Sequence, residues 1–501
     1  MPFLAALPIG LLLAALVRWR WPAPRAGLAA YVLSLLLAAS AFGAPAALLA
    51  QATAKGLALA LYVVTIIWAS GLLYSLLEAC GAAAAISGAI TSRVSDPALQ
   101  ALLLAGCAAA FLQGIAGFGV PVAIVAPLLV AAGLTPARAA AAVLVGHSWA
   151  VSFGSMAASY YTIGLVTGLP AGRLAVHLAL TLSAPILVCC VGVICLVGGF
   201  AALRRTLARA VAVSLVMACV QAATAVYIAP QVASLLAGLS GCLVLLLRVG
   251  ERGGPAPARE GPSFHIAFAP YYFLTVLSLL AQLPEVHGAF AHLRLGWGFP
   301  GGSTAWGHVV APVRDYAAIR LVGHPAPLIV AATGLAGLAL RLTGRWRRGA
   351  LAVAWRRTVR QSAATTLAIG AMVAMALVMT DSGQTSVLAA ASVSLAGPAF
   401  PLIAPLIGAF GCLLTGSNTN SNVLFGAMQT EAALRLGLDP VPIAAAQSAG
   451  GSLGSAVAPA KVMMGAAAVD LKDRAGDILR LVLPFCLLAL AIVGLTALAL
   501  A

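Results

Sequence analysis

The densest run of hydrogen-bonding side chains in this sequence lies inside an apolar stretch. Thr415, Ser417, Asn418, Thr419, Asn420, Ser421 and Asn422, interrupted only by Gly416, stand within the uncharged window 382–430. Hydroxyl and amide groups buried in apolar surroundings are costly unless they face a partner, water or a ligand. Two readings compete: polar residues joining helix to helix, or a binding site. A continuous run that occupies every face of a helix favours the site. A second interruption, Phe111-Leu-Gln-Gly-Ile-Ala-Gly-Phe-Gly-Val-Pro-Val-Ala-Ile124, breaks another uncharged window with glycines and a proline. Backbone that leaves a helix at membrane depth is tolerated only where it is buried in protein or lines a cavity. Paired breaks of this kind, one in each half, point to a substrate site between the halves. Broken helices also present free N–H groups and a positive dipole end, which suit a carboxylate or a phosphate.

Few ionisable groups accompany these runs. Asp381 separates two uncharged windows, and an intramembrane carboxylate is a functional candidate by default; pairing with a cation for structure is the equal alternative. His147 lies inside an uncharged window and titrates in the range suited to proton exchange, although a lone buried histidine is more often a structural hydrogen-bonding group. Lys461 follows Ala458-Pro-Ala in an apolar segment. It is read as a counter-charge for a substrate carboxylate, as the partner of an acid, or as a side chain snorkelling to the interface. Glu78 and Arg138 are assigned to the interface. The nine cysteines (Cys80, Cys107, Cys189, Cys190, Cys195, Cys219, Cys242, Cys412 and Cys486) show no paired C-x-x-C spacing, so no metal and no cofactor are expected.

The elements that must position these residues follow from composition. Charged residues make up 8% of the chain, hydrophobic residues 62%, and the mean hydropathy is +1.06. A soluble domain carries about 25% charged residues, so the chain is an all-α polytopic membrane protein. Its uncharged windows, at ~20 residues per span, predict roughly 12–14 transmembrane helices, with residues 2–17 kept as a first helix rather than a cleaved leader. The net charge of +16 sits in short basic loops, as the positive-inside bias requires, and not in a nucleic-acid footprint. The segment 341–360 is the most basic and is assigned to the cytoplasm. Two polar interruptions divide the chain: a charged Pro/Gly linker at 251–261, and a longer segment at 284–320 carrying Glu285, His287, His292, Trp297, Trp306, His308, Arg314 and Asp315. The second is expected to be an extramembranous or interfacial loop. The halves are therefore 1–250, with the broken motif 111–124, and 327–501, with the broken motif 413–426, joined by 251–326.

An internal repeat runs through both halves. Gly114 is followed by Gly133-Leu-Thr-Pro136 and then His147-Ser-Trp-Ala-Val-Ser-Phe-Gly-Ser155. Gly416 is followed by Gly437-Leu-Asp-Pro440 and then Gln447-Ser-Ala-Gly-Gly-Ser-Leu-Gly-Ser455. The shared order of broken segment, G-L-x-P turn and small polar segment predicts a pseudo-twofold architecture with broken or re-entrant helices at the site. His147 and Gln447 occupy matching positions, as do Ser148 and Ser448. Whether the halves are inverted depends on the parity of crossings between Gly114 and Gly416, which the sequence leaves open.

The runs G-I-A-G-F-G-V-P-V-A-I at 114–124 and T-G-S-N-T-N-S-N-V-L-F-G at 415–426, with the stretch from Gln447 to Lys461, resemble the lactate permease family, most strongly over residues 100–165 and 365–470. The resemblance implies a multi-pass cell-membrane carrier, not an enzyme, that moves 2-hydroxymonocarboxylates such as L-lactate, D-lactate and glycolate, usually with protons. It implies that Gly114, Gly117, Gly119 and Pro121, with Ser417, Asn418, Ser421 and Asn422, line the substrate site. Phe118, Phe153 and Phe425 would restrict the pocket to short chains. Family members read E-G-A-A-G-F-G where this chain has Gln113-Gly-Ile-Ala-Gly-Phe-Gly. Glutamine keeps the hydrogen bonds but cannot exchange a proton, so coupling through this position is left open. The partners expected are a small monocarboxylate anion, a proton and the bilayer. An uncoupled facilitator, or an ion-coupled carrier of another small organic anion, is the alternative.

Overall fold

The computed structural model describes residues 1–82, 96–115, 117, 119–248, 263–281, 283–471 and 474–501; Phe118 and the 251–261 linker lie outside them. Among the described residues, nine helices are long and apolar enough to cross a membrane, or ten when a pair bent by 47°, Pro136–Val151 and Gly154–Thr167, counts as one span. Further apolar windows form shorter helices: Pro2–Leu16, Val120–Ala131 and His265–Leu280. The continuous-looking segment Ala171–Ala223 turns at Gly199, where φ is +65°, so that it comprises two helical lengths.

Two long helices form one wall of the site. Ala46–Ala79 and Ala350–Asp381 run antiparallel along their length, as three side-chain pairs record. Lys55 meets Asp381 at 2.9 Å, the Trp68 indole donates to Thr366 Oγ1 at 2.9 Å, and Arg357 meets Glu78 at 2.6 Å. They approach closely because Gly56 carries no side chain: a Cβ there would stand 2.5 Å from the Ala374 Cα. In lipid, where burial offers little drive between helices, such small-residue contacts are what draw backbones together.

The opposite wall is built from the two repeats. In the second, the helix Phe400–Thr415 ends on Gly416 at φ +71° and the chain restarts as Asn418–Arg435, whose N-cap Ser417 accepts from the Asn420 N–H at 3.4 Å. Ser421 Oγ donates to Gly408 O and Gln429 Nε2 to Ala404 O, so the two arms lie antiparallel. Asp439 then caps Pro440–Gly454 through the Val441 N–H at 3.0 Å, with proline in the first turn, the signals expected of a helix start. A break at 455–458 leads to Pro459–Ala468. The first half has the same order: helical residues Pro97–Ile115, a turn at Gly119 (φ +83°), Val120–Ala131, Pro136–Ser148, a break, and Gly154–Thr167.

The segment 284–320 is more ordered than a loop. After a short helix Pro284–Ala289, β1 (Arg294–Phe299) pairs antiparallel with β4 (Val313–Arg320), and β2 (Gly302–Ser303) with β3 (Val309–Val310). Trp297 stands opposite Tyr316 and Phe299 opposite Val313. This hairpin covers the Lys55–Asp381 end of the two long helices: His308 Nε2 lies 3.1 Å from Thr380 O, and the Ala305 N–H donates to Gly43 O at 2.8 Å.

Candidate functional site

A cavity of about 70 Å³ lies where the two long helices meet both broken segments. At ~10–15 Å³ per water-sized sphere, it has room for about five such groups. Ile67 from one long helix and Thr365 and Ile369 from the other form its apolar wall. Ile67 is about 18 Å along its helix from Lys55 and about 17 Å from Glu78, at 1.5 Å per residue. Within a hydrocarbon core of ~30 Å, the cavity therefore sits near mid-depth. The tip of the second antiparallel arm pair reaches it, which makes Phe400–Arg435 a re-entrant pair.

Of the residues singled out in the sequence, the cavity gathers Gln113, Gly117, Ser417, Asn418, Thr419 and Lys461. The remainder of the polar run is engaged in protein contacts beside it. Asn422 Nδ2 donates to Ser159 O at 3.0 Å and Ser448 Oγ at 3.1 Å, and Ser421 Oγ donates to Gly408 O at 2.7 Å. Gln447 Nε2 donates to Ser421 Oγ at 3.0 Å, and Gln447 Oε1 accepts from Gln429 Nε2. Asn420 is buried behind the cap, and Thr415 Oγ1 folds back on Gly411 O. Gly114 packs against the backbone of Leu235, Gly119 forms the turn, and Pro121 opens the following helix. His147 bonds Val143 O through Nδ1 and Ser148 donates to Val145 O. Neither residue lines the cavity, nor do Phe153, Phe425 or Asp381.

Two further residues shape the site. Ser155 and Ser159 line the cavity; Ser155 Oγ accepts from the Gly117 N–H at 2.9 Å, and Ser159 bonds Thr419 at 3.0 Å. Ser155 ends the small polar segment of the first repeat, whose shared order was the available signal; Ser159 lies four residues beyond it. Ser155, Met156 and Ala157 adopt φ between +49° and +59°, a left-handed turn in which non-glycine residues are strained. It aims Ser155 at Gly117 across the break. Lys55, which lies outside the cavity lining, is a further buried ionisable residue that the sequence reading left out.

The two repeats touch through equivalent atoms. Ser152 Oγ donates to Ser448 O at 2.9 Å, and Ser452 Oγ donates to Ser148 O at 2.7 Å. These are one interaction with the halves exchanged, so the corresponding segments cross antiparallel about a pseudo-twofold axis beside the cavity. For segments that traverse a bilayer, antiparallel correspondence is an inverted repeat.

The electrostatics of the cavity are simple. Lys461 is its one ionisable lining residue, only 7% exposed, and it makes no ion pair with any described residue. The N-terminus of Asn418–Arg435 also points there, adding donors and a positive dipole end. Against these donors stands an acceptor without a partner, the buried Gln113 Oε1; Asn418 Oδ1 is also unbonded but lies against Gly451. The arrangement offers one buried lysine amine, several donors and a free amide oxygen. It can hold a small anion that also has a hydroxyl to give.

The family model described as L-lactate permease matches residues 2–501. An L-lactate permease of Bacillus subtilis is 28% identical over 528 residues, spanning 98% of this chain and 94% of that one. One from Escherichia coli K12 is 28% identical over 446 residues, spanning 82% and 79%. The glycolate permease GlcA of Escherichia coli K12 is 27% identical over 538 residues, spanning 99% and 94%.

Proposed function

Because the chain belongs to the L-lactate permease family, we propose that it carries small 2-hydroxymonocarboxylates, L-lactate, D-lactate or glycolate, across the cell membrane by alternating access, in symport with protons. The observation that supports this most is Lys461, a buried cation without a counter-ion in a mid-depth cavity. A buried charge left unpaired is costly, and a substrate carboxylate is the partner that removes the cost. Gln113 Oε1 is the complementary feature, since a carboxylate cannot donate to it. The 2-hydroxyl can, so the site suits a hydroxyacid better than a plain carboxylate of equal length.

Proton symport draws on the family and on two titratable residues outside the cavity, His147 and Asp381. The absence of any carboxylate among the described cavity residues favours the competing reading, an uncoupled facilitator. Uptake of labelled L-lactate into proteoliposomes, with and without an inward proton gradient, separates the two. Saturable uptake driven above equilibrium supports symport, and saturable uptake that only equilibrates supports the facilitator. No saturable uptake of lactate or glycolate in either condition overturns the proposed substrate class.

A further inference from the structure

With Gln113 in the cavity, a co-transported proton needs another seat. Among the described residues, Asp381 is the one carboxylate in the buried set. Its partner, Lys55, reaches Asp381 Oδ2 at 2.9 Å, and the two side chains are 5% and 7% exposed. The pair does not touch the cavity. It joins the two long helices that wall the cavity, about 18 Å along them from Ile67 and Ile369, at the end away from the basic segment.

The hairpin closes over this pair. The Phe299 ring centre lies 6.0 Å from Lys55 Nζ, and His308 Nε2 sits 3.1 Å from Thr380 O, one residue before Asp381. Tyr316 on β4 is within electrostatic range of Asp381, as is His308. The charged and titratable groups facing Asp381 are thus Lys55, His308 and Tyr316. Two apolar residues of similar volume would join the helices at least as well, because burying two charges carries a large desolvation cost. An ion pair does what an apolar contact cannot: it responds to a proton.

We propose that the Lys55–Asp381 pair, roofed by the His308 hairpin, is the outer gate of the carrier and the seat of its proton. A proton arriving from the outer side binds the Asp381 carboxylate and leaves Lys55 without a counter-charge. The seam between Ala46–Ala79 and Ala350–Asp381 then opens at that end. As the carrier turns inward the pair re-forms, and the proton leaves Asp381 along the seam into the inward-facing cavity and on to the cytoplasm. The proposal rests on the reading of the chain as a proton-coupled carrier and adds where and how coupling acts.

Two measurements on the full chain test it. In proteoliposomes, the double variant Lys55→Met with Asp381→Asn imitates the unlatched seam, removing the ion pair without stranding a charge or putting an apolar latch in its place. It is expected to retain lactate counterflow at equal pH within about threefold of the parent. Accumulation under a one-unit inward proton gradient should fall from about tenfold, the ratio such a gradient supports for one proton per anion, to one. Accumulation like the parent's overturns the proposal. Hydrogen exchange on the unaltered chain requires no variant. Amides at 376–384 and 300–310 are expected to lose protection between pH 7.5 and pH 5.5, beyond the intrinsic change in exchange rate, and unchanged protection overturns the proposal. His308→Gln should keep that response, and its loss there would assign the response to His308 and overturn the role of Asp381. If the unaltered chain shows neither uptake nor counterflow of lactate, the carrier reading itself fails, which the exchange data would not mimic.

Discussion

At the scale of single residues, the site turns on an imbalance of donors and acceptors. Lys461 is a buried cation without an acid partner, and Gln113 has a free amide oxygen. Lys461→Met keeps most of the side-chain volume and removes the charge. Loss of one charge-assisted hydrogen bond, about 1.5–3 kcal/mol, predicts roughly a 10- to 100-fold fall in uptake at low lactate, read as a higher KM for transport. Parental KM in this variant would remove Lys461 from the site. Gln113→Glu is expected to act differently from any neutral change. A carboxylate there meets Lys461 across a small cavity and competes with the substrate for it, while restoring a titratable group. Uptake should therefore fall at neutral pH and recover as the external pH drops and the new carboxyl protonates. An unchanged pH profile from pH 5 to 8 would mean that residue 113 does not face the bound anion.

At the scale of elements, the breaks were legible in the sequence and their partnerships were not. Gly416 between two apolar arms, the G-L-D-P turn at 437–440 and the run of polar residues after Ser417 mark the second re-entrant pair by composition alone. The sequence could not show which polar residues of that run face the cavity. Ser421 and Asn422 are as polar as Ser417 and Asn418, and only the crossing of the neighbouring helices keeps the first two out of the cavity lining. The strained turn at Ser155–Ala157 and the pairing of Lys55 with Asp381, far apart in the chain, were equally invisible, because no local propensity encodes either. The segment 284–320 reads as a loop since its bulged strands interrupt strict alternation. Two tests belong here. Gly416→Ala forces a side chain into a left-handed conformation at a cost of about 1–2 kcal/mol, and should lower the melting temperature in detergent as well as uptake. Ser152→Ala and Ser452→Ala each remove one of two equivalent bonds between the halves, worth about 1 kcal/mol, together with one bond that the hydroxyl accepts, from Asn418 Nδ2 at 3.2 Å and from the Ser152 N–H at 3.1 Å respectively. Thermal melts should show comparable losses for the two. A much larger loss for one than the other would mean that the halves do not share the contact symmetrically.

At the scale of the whole molecule, the two ends of the antiparallel wall differ. One end is shut by the buried Lys55–Asp381 pair and its hairpin. Toward the other, a second cavity of about 240 Å³ adjoins the first at Ile67 and is lined by Ser70, Gly71, Tyr74, Gln361 and Ser362. It opens in the direction of Glu78 and Arg357, whose side chains are half exposed, and of the arginine-rich segment 341–360. On the proposed reading, the positive-inside bias places that end in the cytoplasm, and the larger cavity would be the vestibule of a carrier facing the cytoplasm. Cysteines placed at Ser70 or Ser362, in a chain whose exposed Cys219 is replaced by serine, report on this directly. A membrane-impermeant thiol reagent should modify them in inside-out vesicles and spare them in right-side-out vesicles. Saturating L-lactate should slow the reaction several-fold, since a loaded carrier leaves the inward-facing state more often. Equal labelling from both sides would mean that the second cavity is not a one-sided vestibule, and labelling from the outer side alone would reverse the orientation of the chain.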